Sequence, residues 1–259
     1  MADDTTPTPL LTVLMPVYNE RATLGELLRR VLAVPLAKEV LIVDDASSDG
    51  TRELLRAEIE GHFPEVRVLY RERNAGKGAA IRSGLPLARG EYVVIQDGDL
   101  EYDPRDFAAL LAPALAADAP VVYGTRFSGA WPAMRLPNRA INLILVWLVR
   151  LLYGARLTDE ATCYKLFRRP LLQSLPLTCR RFEFCPEVTA KVLRSGHAIV
   201  EVPIRYVSRS PAEGKKIRWT DGFVAIWTLV RWRFWRPALA PTPAAAASAG
   251  GAHSERETT

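Results

Sequence analysis

Over the first hundred residues, apolar runs of strand length alternate with stretches of helical periodicity, and that alternation restricts the chain to very few architectures. Leu10 to Val17, Val40 to Asp44, Val66 to Tyr70 and Tyr92 to Ile95 have the length and composition of buried strands. Thr23 to Val34, Thr51 to Glu60 and Ala79 to Ala88 carry apolar residues at helical spacing between them. The order β-α-β-α-β-α-β predicts an α/β fold, a doubly wound and mostly parallel sheet flanked by helices. In such sheets ligands bind beyond the carboxyl ends of the strands, so the polar residues that follow each strand should converge. Those residues are Asn19 and Glu20, then Asp44 and Asp45, then Asn74, then Asp97 and Asp99.

The pattern continues with a helix from Asp106 to about Ala117, a strand at Val121 to Tyr123 and an apolar helix near Ala140 to Tyr153, followed by a strand-helix-strand section to Tyr206. It reads as one domain over 10–236, with a flexible start at 1–9 and a disordered Ala/Pro/Ser/Gly-rich tail at 237–259. A 49% hydrophobic content in 259 residues is enough for a sizeable core. The net charge of +5 suits an anionic partner without choosing among nucleic acid, phosphorylated substrate and anionic lipid. Three cysteines without zinc-site spacing suggest neither a disulfide framework nor a metal knuckle, and point to a reducing compartment. The acidic N-terminus is unlike a signal peptide, and no apolar run reaches the roughly 18 residues that span a bilayer. The expected location is cytoplasmic, with peripheral association at the inner face of the membrane.

Asp97-Gly98-Asp99 follows the apolar strand YVVI. Two carboxylates two residues apart reach one divalent cation if the chain turns at Gly98, and Mg²⁺ or Mn²⁺ takes such oxygens together with substrate phosphates. Taken alone, such a triplet is more often a solvated acidic turn; its place after the fourth strand favours the metal. Asp44 or Asp45, after the second strand, can accept hydrogen bonds from a ribose or base, or else belong to the capping of the next helix by Ser47 to Thr51. Asn74-Ala75-Gly76-Lys77-Gly78 lacks the spacing of a P-loop or a dinucleotide fingerprint. Its helix start either presents N–H groups and Lys77 to an anion or serves tight packing.

Together these segments resemble the family 2 glycosyltransferases of the GT-A fold, and within them the dolichol-phosphate and polyprenyl-phosphate sugar synthases. The resemblance runs through VLMPVYNE (13–20), VLIVDDASSDGT (40–51), NAGKGAAIRSGL (74–85) and YVVIQDGDLEYDP (92–104). It continues through YGTRFSG (123–129), TDEATCYKLFRR (158–169), FEFCPEVTAKVLRSGHAIVEVPIRY (182–206) and SRSPAEGKKIRWTDG (208–222). It implies a nucleotide-sugar-binding half at 10–125 and an acceptor half at 126–236. Pro16, Tyr18, Glu20 and Asp45 would surround the nucleotide of a donor such as GDP-mannose, the first expectation, or UDP-glucose. Asp97 and Asp99 would hold metal and diphosphate, with Glu101 near a second metal position and Gly98 where relatives often have Ala. Arg126 and Arg139 would approach the acceptor phosphate, while Arg209 and Lys216 lie in a loop that closes over the site.

The implied chemistry is a single displacement that inverts the anomeric carbon while diphosphate leaves. A polyprenyl-phosphate acceptor is already anionic and needs no base, whereas a hydroxyl acceptor would need one, for which Asp159 is the candidate. Asp159 is otherwise a structural partner for an arginine. A non-catalytic nucleotide-sugar-binding protein is the alternative of a different class. Ile141 to Leu152 and Phe223 to Trp235 are apolar, too short to span, and either interfacial or ordinary core helices. In the second, Phe223, Ile226, Trp227, Val230 and Phe234 recur at helical spacing, with Arg231 and Arg233 beside aromatic residues. That spacing and the lack of a recognised module argue against nucleic acid. Many relatives carry transmembrane helices after the catalytic domain; the Ala/Pro-rich tail stands there instead, so peripheral attachment is the expectation.

Overall fold

The structure, a computed structural model, describes residues 8–127, 136–208 and 219–237. Its centre is a seven-stranded sheet built from β1 (Leu11–Val17), β2 (Lys38–Asp44), β3 (Val66–Tyr70), β4 (Tyr92–Ile95), β5 (Val121–Thr125), β6 (Lys165–Arg168) and β7 (Val200–Pro203). The strand order is β3-β2-β1-β4-β6-β5-β7. Strands β1 to β4 are mutually parallel, and β5 pairs parallel with β7. β6 runs antiparallel between β4 and β5. Every residue of β1 and β4 is buried, which is why their sequences are near-continuous apolar runs instead of alternating ones, the one hydroxyl of β1, on Thr12, donating to Glu39 Oε1 at 2.6 Å.

The helices are α1 (Leu24–Leu32), α2 (Thr51–Leu54), α3 (Lys77–Gly84), α4 (Phe107–Ala116), α5 (Leu136–Tyr153), α6 (Arg169–Ser174), α7 (Phe184–Arg194) and α8 (Trp219–Trp232). α1 shows how the pattern works: Leu24, Leu27, Leu28 and Val31 are buried, while Glu26 pairs with Arg29 and Arg30 on the outer face. The helix expected over 51–60 begins as α2 and ends in a π turn, Leu55–Ile59. The one expected to begin at Ala79 starts two residues earlier, and Pro86 falls in the 3₁₀ turn that ends it. The section expected as strand-helix-strand contains two helices, α6 and α7.

α8 packs on both α5 and α7. The Tyr153 hydroxyl donates to the Leu229 carbonyl at 2.5 Å, and the Lys191 ammonium lies 3.6 Å from the centre of the Trp232 ring. Lys191 is fully buried, donating to Glu187 Oε1 and the Pro176 carbonyl at 2.5 Å each, so its charge is matched.

Candidate active site

A cleft of about 630 Å³ opens beyond the carboxyl ends of β1, β2 and β4. β1 contributes Pro16 and Val17 and the turn after it Tyr18 and Glu20; β2 leads to Asp45 and β4 to Asp97, Gly98, Asp99 and Glu101. Asn74 to Lys77, at the start of α3, and Arg181 with Phe182, just before α7, complete most of the wall. The convergence expected from strand ends is therefore present for Glu20, Asp45, Asn74, Asp97 and Asp99.

Asn19 and Asp44 are the exceptions. Asn19 lies outside the lining, its Oδ1 accepting from the Ser48 N–H at 2.8 Å. Asp44 is fully buried and outside the lining, its Oδ2 accepting from Arg52 Nε at 2.7 Å and its Oδ1 from the Ser47 N–H at 3.2 Å. A carboxylate without water is stable only when so matched, which makes Asp44 structural rather than nucleotide-binding. Side chains alternate along a strand, and the next residue, Asp45, lines the cleft. It accepts from Arg71 Nη1, from the Gly76 N–H at 2.6 Å and from the Ala75 N–H at 3.2 Å.

The glycine-rich helix start is likewise explained by packing. The N–H groups of Gly78 and Ala79 donate to the carbonyls of Arg181 and Arg180 at 3.0 and 2.9 Å. Gly76, at φ +94°, has no room for a side chain: a Cβ there would lie 2.7 Å from the Arg180 carbonyl oxygen. With Ala75 and Gly76 bound to Asp45, four N–H groups that might have met an anion are already satisfied.

Lys77 does reach the cleft. Its Nζ sits 2.5 Å from Asp97 Oδ1 and donates to Cys163 Sγ at 3.2 Å. Burial works against the ammonium charge, but the adjoining Asp97 carboxylate holds it well above its ordinary value. Burial also pushes the Cys163 thiol well up, so that sulfur is a neutral neighbour rather than a nucleophile. Asp99 Oδ1 accepts from the Glu101 N–H at 3.0 Å, and Glu101 Oε2 accepts from the Tyr206 hydroxyl at 3.2 Å.

Asp97, Asp99 and Glu101 share the cleft, yet among the described residues no three His, Cys, Asp or Glu side chains converge as a ligand set. The expected metal-holding residues, Asp97 and Asp99 with Glu101 near a second position, are thus not gathered into one preassembled three-ligand set. Asp97 and Asp99 both line the cleft, and their carboxylates are the donor type suited to a Mg²⁺ or Mn²⁺ ion that takes one or two carboxylates and completes its shell with phosphate oxygens and water.

Two further expectations change. Asp159 is fully buried, and its two oxygens accept from Arg126 Nε at 2.6 Å and Nη2 at 2.7 Å, with the Arg126 N–H adding a bond at 3.1 Å. Neither residue lines the cleft. A carboxylate so engaged has no surface to offer an incoming hydroxyl, so Asp159 is a structural partner and not a general base. The Arg126 guanidinium also lies 5.0 Å from the centre of the Tyr206 ring, behind the wall where Tyr206 meets Glu101. Burial opposes its charge, and Tyr102 and Asp159 hold it well above the usual value. Arg139 lies near the start of α5, outside the lining, while Arg209 and Lys216 fall outside the described residues. Arg181 and Phe182 line the cleft without having been expected there: Phe182 opens the segment 182–206 quoted for the resemblance but was given no role, and Arg181 precedes it in a loop with no motif of its own.

A family model described as Glycosyl transferase family 2 matches residues 12–175. The chain is 34% identical over 218 residues to an undecaprenyl-phosphate 4-deoxy-4-formamido-L-arabinose transferase of Pseudomonas aeruginosa, covering 81% of this chain and 61% of that protein. It therefore spans less than two thirds of that relative's length. It is 30% identical over 236 residues to a polyprenol monophosphomannose synthase of Mycolicibacterium smegmatis, covering 85% of this chain and 88% of the relative. Among solved structures, glucosyl-3-phosphoglycerate synthase of Mycobacterium tuberculosis, in complex with Mn²⁺, UDP and phosphoglyceric acid, superposes with a TM-score of 0.66 at 21% identity, covering 87% and 79% of the two chains. That last likeness speaks to the fold.

Proposed function

The chain belongs to glycosyl transferase family 2, and from that premise we propose that it transfers a hexose from a nucleotide-sugar to a polyprenyl phosphate at a membrane surface, inverting the anomeric carbon. The relative matched over most of its own length is named for polyprenol monophosphomannose, which favours mannose, from GDP-mannose, over glucose, from UDP-glucose.

The observation that carries the lipid acceptor is the outer surface of α5 and α8. α5 exposes Leu143, Ile144, Trp147 and Leu151, and α8 exposes Phe223, Val224 and Trp227. Large apolar side chains repeating on one stripe of each of two packed helices match an interfacial element, and Arg150 and Arg231 are exposed on the same helices to meet anionic headgroups. The opposite faces are ordinary core, with Leu145, Val149 and Leu229 buried; Ile226 and Val230 are half-buried. No described helix is long and apolar enough to cross a membrane.

The cleft supplies the donor side. Asp45 and its neighbours at the ends of β1 and β2 form the wall for the nucleoside, and Asp97 and Asp99 would hold Mg²⁺ or Mn²⁺. When bound, such an ion neutralises charge on the leaving diphosphate. Lys77, already at Asp97, adds a fixed positive charge beside the same position. An acceptor phosphate brings its own nucleophilic oxygen, so the protein's task is to align it and exclude water. The hydroxyl-acceptor alternative loses support because its proposed base, Asp159, is sealed by Arg126.

The test is transfer of labelled sugar from a panel of GDP- and UDP-sugars into organic-extractable polyprenyl phosphate, with Mg²⁺ or Mn²⁺. Asp99→Ala is expected to lower the metal-dependent label in the lipid phase at least 100-fold, on the order of other lost transition-state charge contacts. Label confined to water-soluble products would overturn the lipid acceptor.

A further inference from the structure

Arg181 differs from the arginines around the cleft in that its charge is not yet matched. Arg52 pairs with Asp44, Arg71 with Asp45 and Arg126 with Asp159. Among the described residues the cleft lining carries two cations, and the other one, Lys77, is held by Asp97. The Arg181 side chain is exposed, and among the described residues it enters no salt bridge and no side-chain hydrogen bond.

The backbone of the same residue is fixed on both sides. Its N–H donates to Glu183 Oε2 at 3.0 Å, and its carbonyl accepts from the Gly78 N–H at 3.0 Å. The loop reaches α3 this closely because glycines face it: a Cβ on Gly76 would fall 2.9 Å from Arg181 Cγ, and one on Gly78 would fall 3.0 Å from the Arg181 carbonyl oxygen. An anchored backbone thus carries a solvated guanidinium into a wall that otherwise presents carboxylates, including Glu20, Asp99 and Glu101. A phosphorylated ligand entering such a wall needs a cation, and a planar guanidinium can grip two phosphate oxygens at once.

Resting on the reading of this cleft as the site of a phosphorylated donor and acceptor, we propose that Arg181 is a phosphate-binding side chain of the cleft. The diphosphate of the donor and the monophosphate of the acceptor share the chemistry it recognises, and the two are separated by experiment.

Purified full-length Arg181→Met and Arg181→Lys variants are compared with wild type. Their unchanged melting temperatures are expected from the exposed side chain and exclude a folding defect. In the first arm, GDP and UDP are titrated against guanosine and uridine by calorimetry in the presence of Mg²⁺. In the second, KM is measured for a short-chain prenyl phosphate. Arg181→Met is expected to lose about 10- to 100-fold in one arm, the range for a charged hydrogen bond, with partial recovery in Arg181→Lys. A collapse of the diphosphate-over-nucleoside preference assigns the residue to the donor; intact nucleotide binding with a raised acceptor KM assigns it to the acceptor. Both arms within twofold of wild type would overturn the proposal. The nucleotide arm needs no lipid, so a failure of the lipid-acceptor reading leaves it decisive by itself.

Discussion

Trp147 on α5 and Trp227 on α8 are the most informative residues to remove, because each is large, exposed and on the stripe assigned to the membrane. Their relative exposures are 60% and 64%. A Trp side chain offers up to about 250 Å², so each leaves roughly 150 Å² available to a lipid interface. At about 25 cal/mol per Å² full burial would contribute about 3–4 kcal/mol, and burying half of that area, as an interfacial ring does, gives about 2 kcal/mol. Two such residues, far enough apart to act nearly independently, together account for about 4 kcal/mol, close to a thousandfold in partitioning. Trp147→Ser with Trp227→Ser should therefore abolish sedimentation with vesicles containing anionic lipid, while each single variant weakens it about 30-fold. Calorimetric binding of nucleoside diphosphate serves as the control and should stay at the wild-type value, since neither side chain lines the cleft. Vesicle binding within twofold of wild type in the double variant would refute the assignment of this face. A loss of nucleotide binding would show that the surface supports the fold instead.

Asp159→Asn should act on stability before it acts on chemistry. It strips a buried guanidinium of its counter-charge, a loss of about 3–5 kcal/mol, which in a chain of this size lowers the melting temperature by about 10 °C or more. Adding Arg126→Met should recover part of that loss. A stable Asp159→Asn variant whose only defect is a shifted pH–rate profile would instead restore the general-base role. Glu160→Gln addresses pH. Burial raises the Glu160 carboxyl above its ordinary 4.5, and Lys165 offsets this only in part. The folded state then keeps a proton that the unfolded chain has released, so the contribution of Glu160 is most favourable below about pH 4.5 and declines as pH rises through the folded value. Removing the titrating group should flatten that decline, as read from denaturation midpoints between pH 4.5 and 8; an unchanged slope would reject it.

The half of the fold that could be read in advance is the half made of local pattern. β1, β2, β3 and β4 begin and end within two residues of their apolar runs, because a strand buried on both faces is written as consecutive apolar residues. β6 shows what pattern leaves out: KLFR is apolar enough to be a strand, but nothing in it states that it inserts antiparallel between β4 and β5. The site divides in the same way. Asp97 and Asp99 were legible from their place after β4, whereas the choice between Asp44 and Asp45 rested on which side of β2 meets Arg52 and which meets the cleft. Asp159 and Arg126 are 33 residues apart, and their pairing is a fact of packing that neither residue's neighbours announce. Arg181 was silent for a related reason, since its importance comes from α3 docking against its carbonyl.

One buried pair joins the exposed apolar face proposed to meet the membrane to the cleft wall. Glu187 accepts from the Thr178 N–H at 2.8 Å and the Cys179 N–H at 2.6 Å, and so fixes the segment that leads directly to Arg180 and Arg181. Its partner Lys191 lies under Trp232 of α8, and Arg194 Nε donates to the Trp235 carbonyl at 2.9 Å. α7 therefore holds the helix that exposes Trp227 with one set of side chains and the loop that carries Arg181 with another. Charge placed in a dry helix interface is costly unless it is matched, and here Lys191 and Glu187 match each other while the Pro176 carbonyl and the Thr178 and Cys179 N–H groups of the loop add further bonds to the pair. The result is a fixed relation between the surface where a lipid would lie and the wall that its phosphate would have to reach. Separate loops packed only by apolar contacts would specify that relation less tightly.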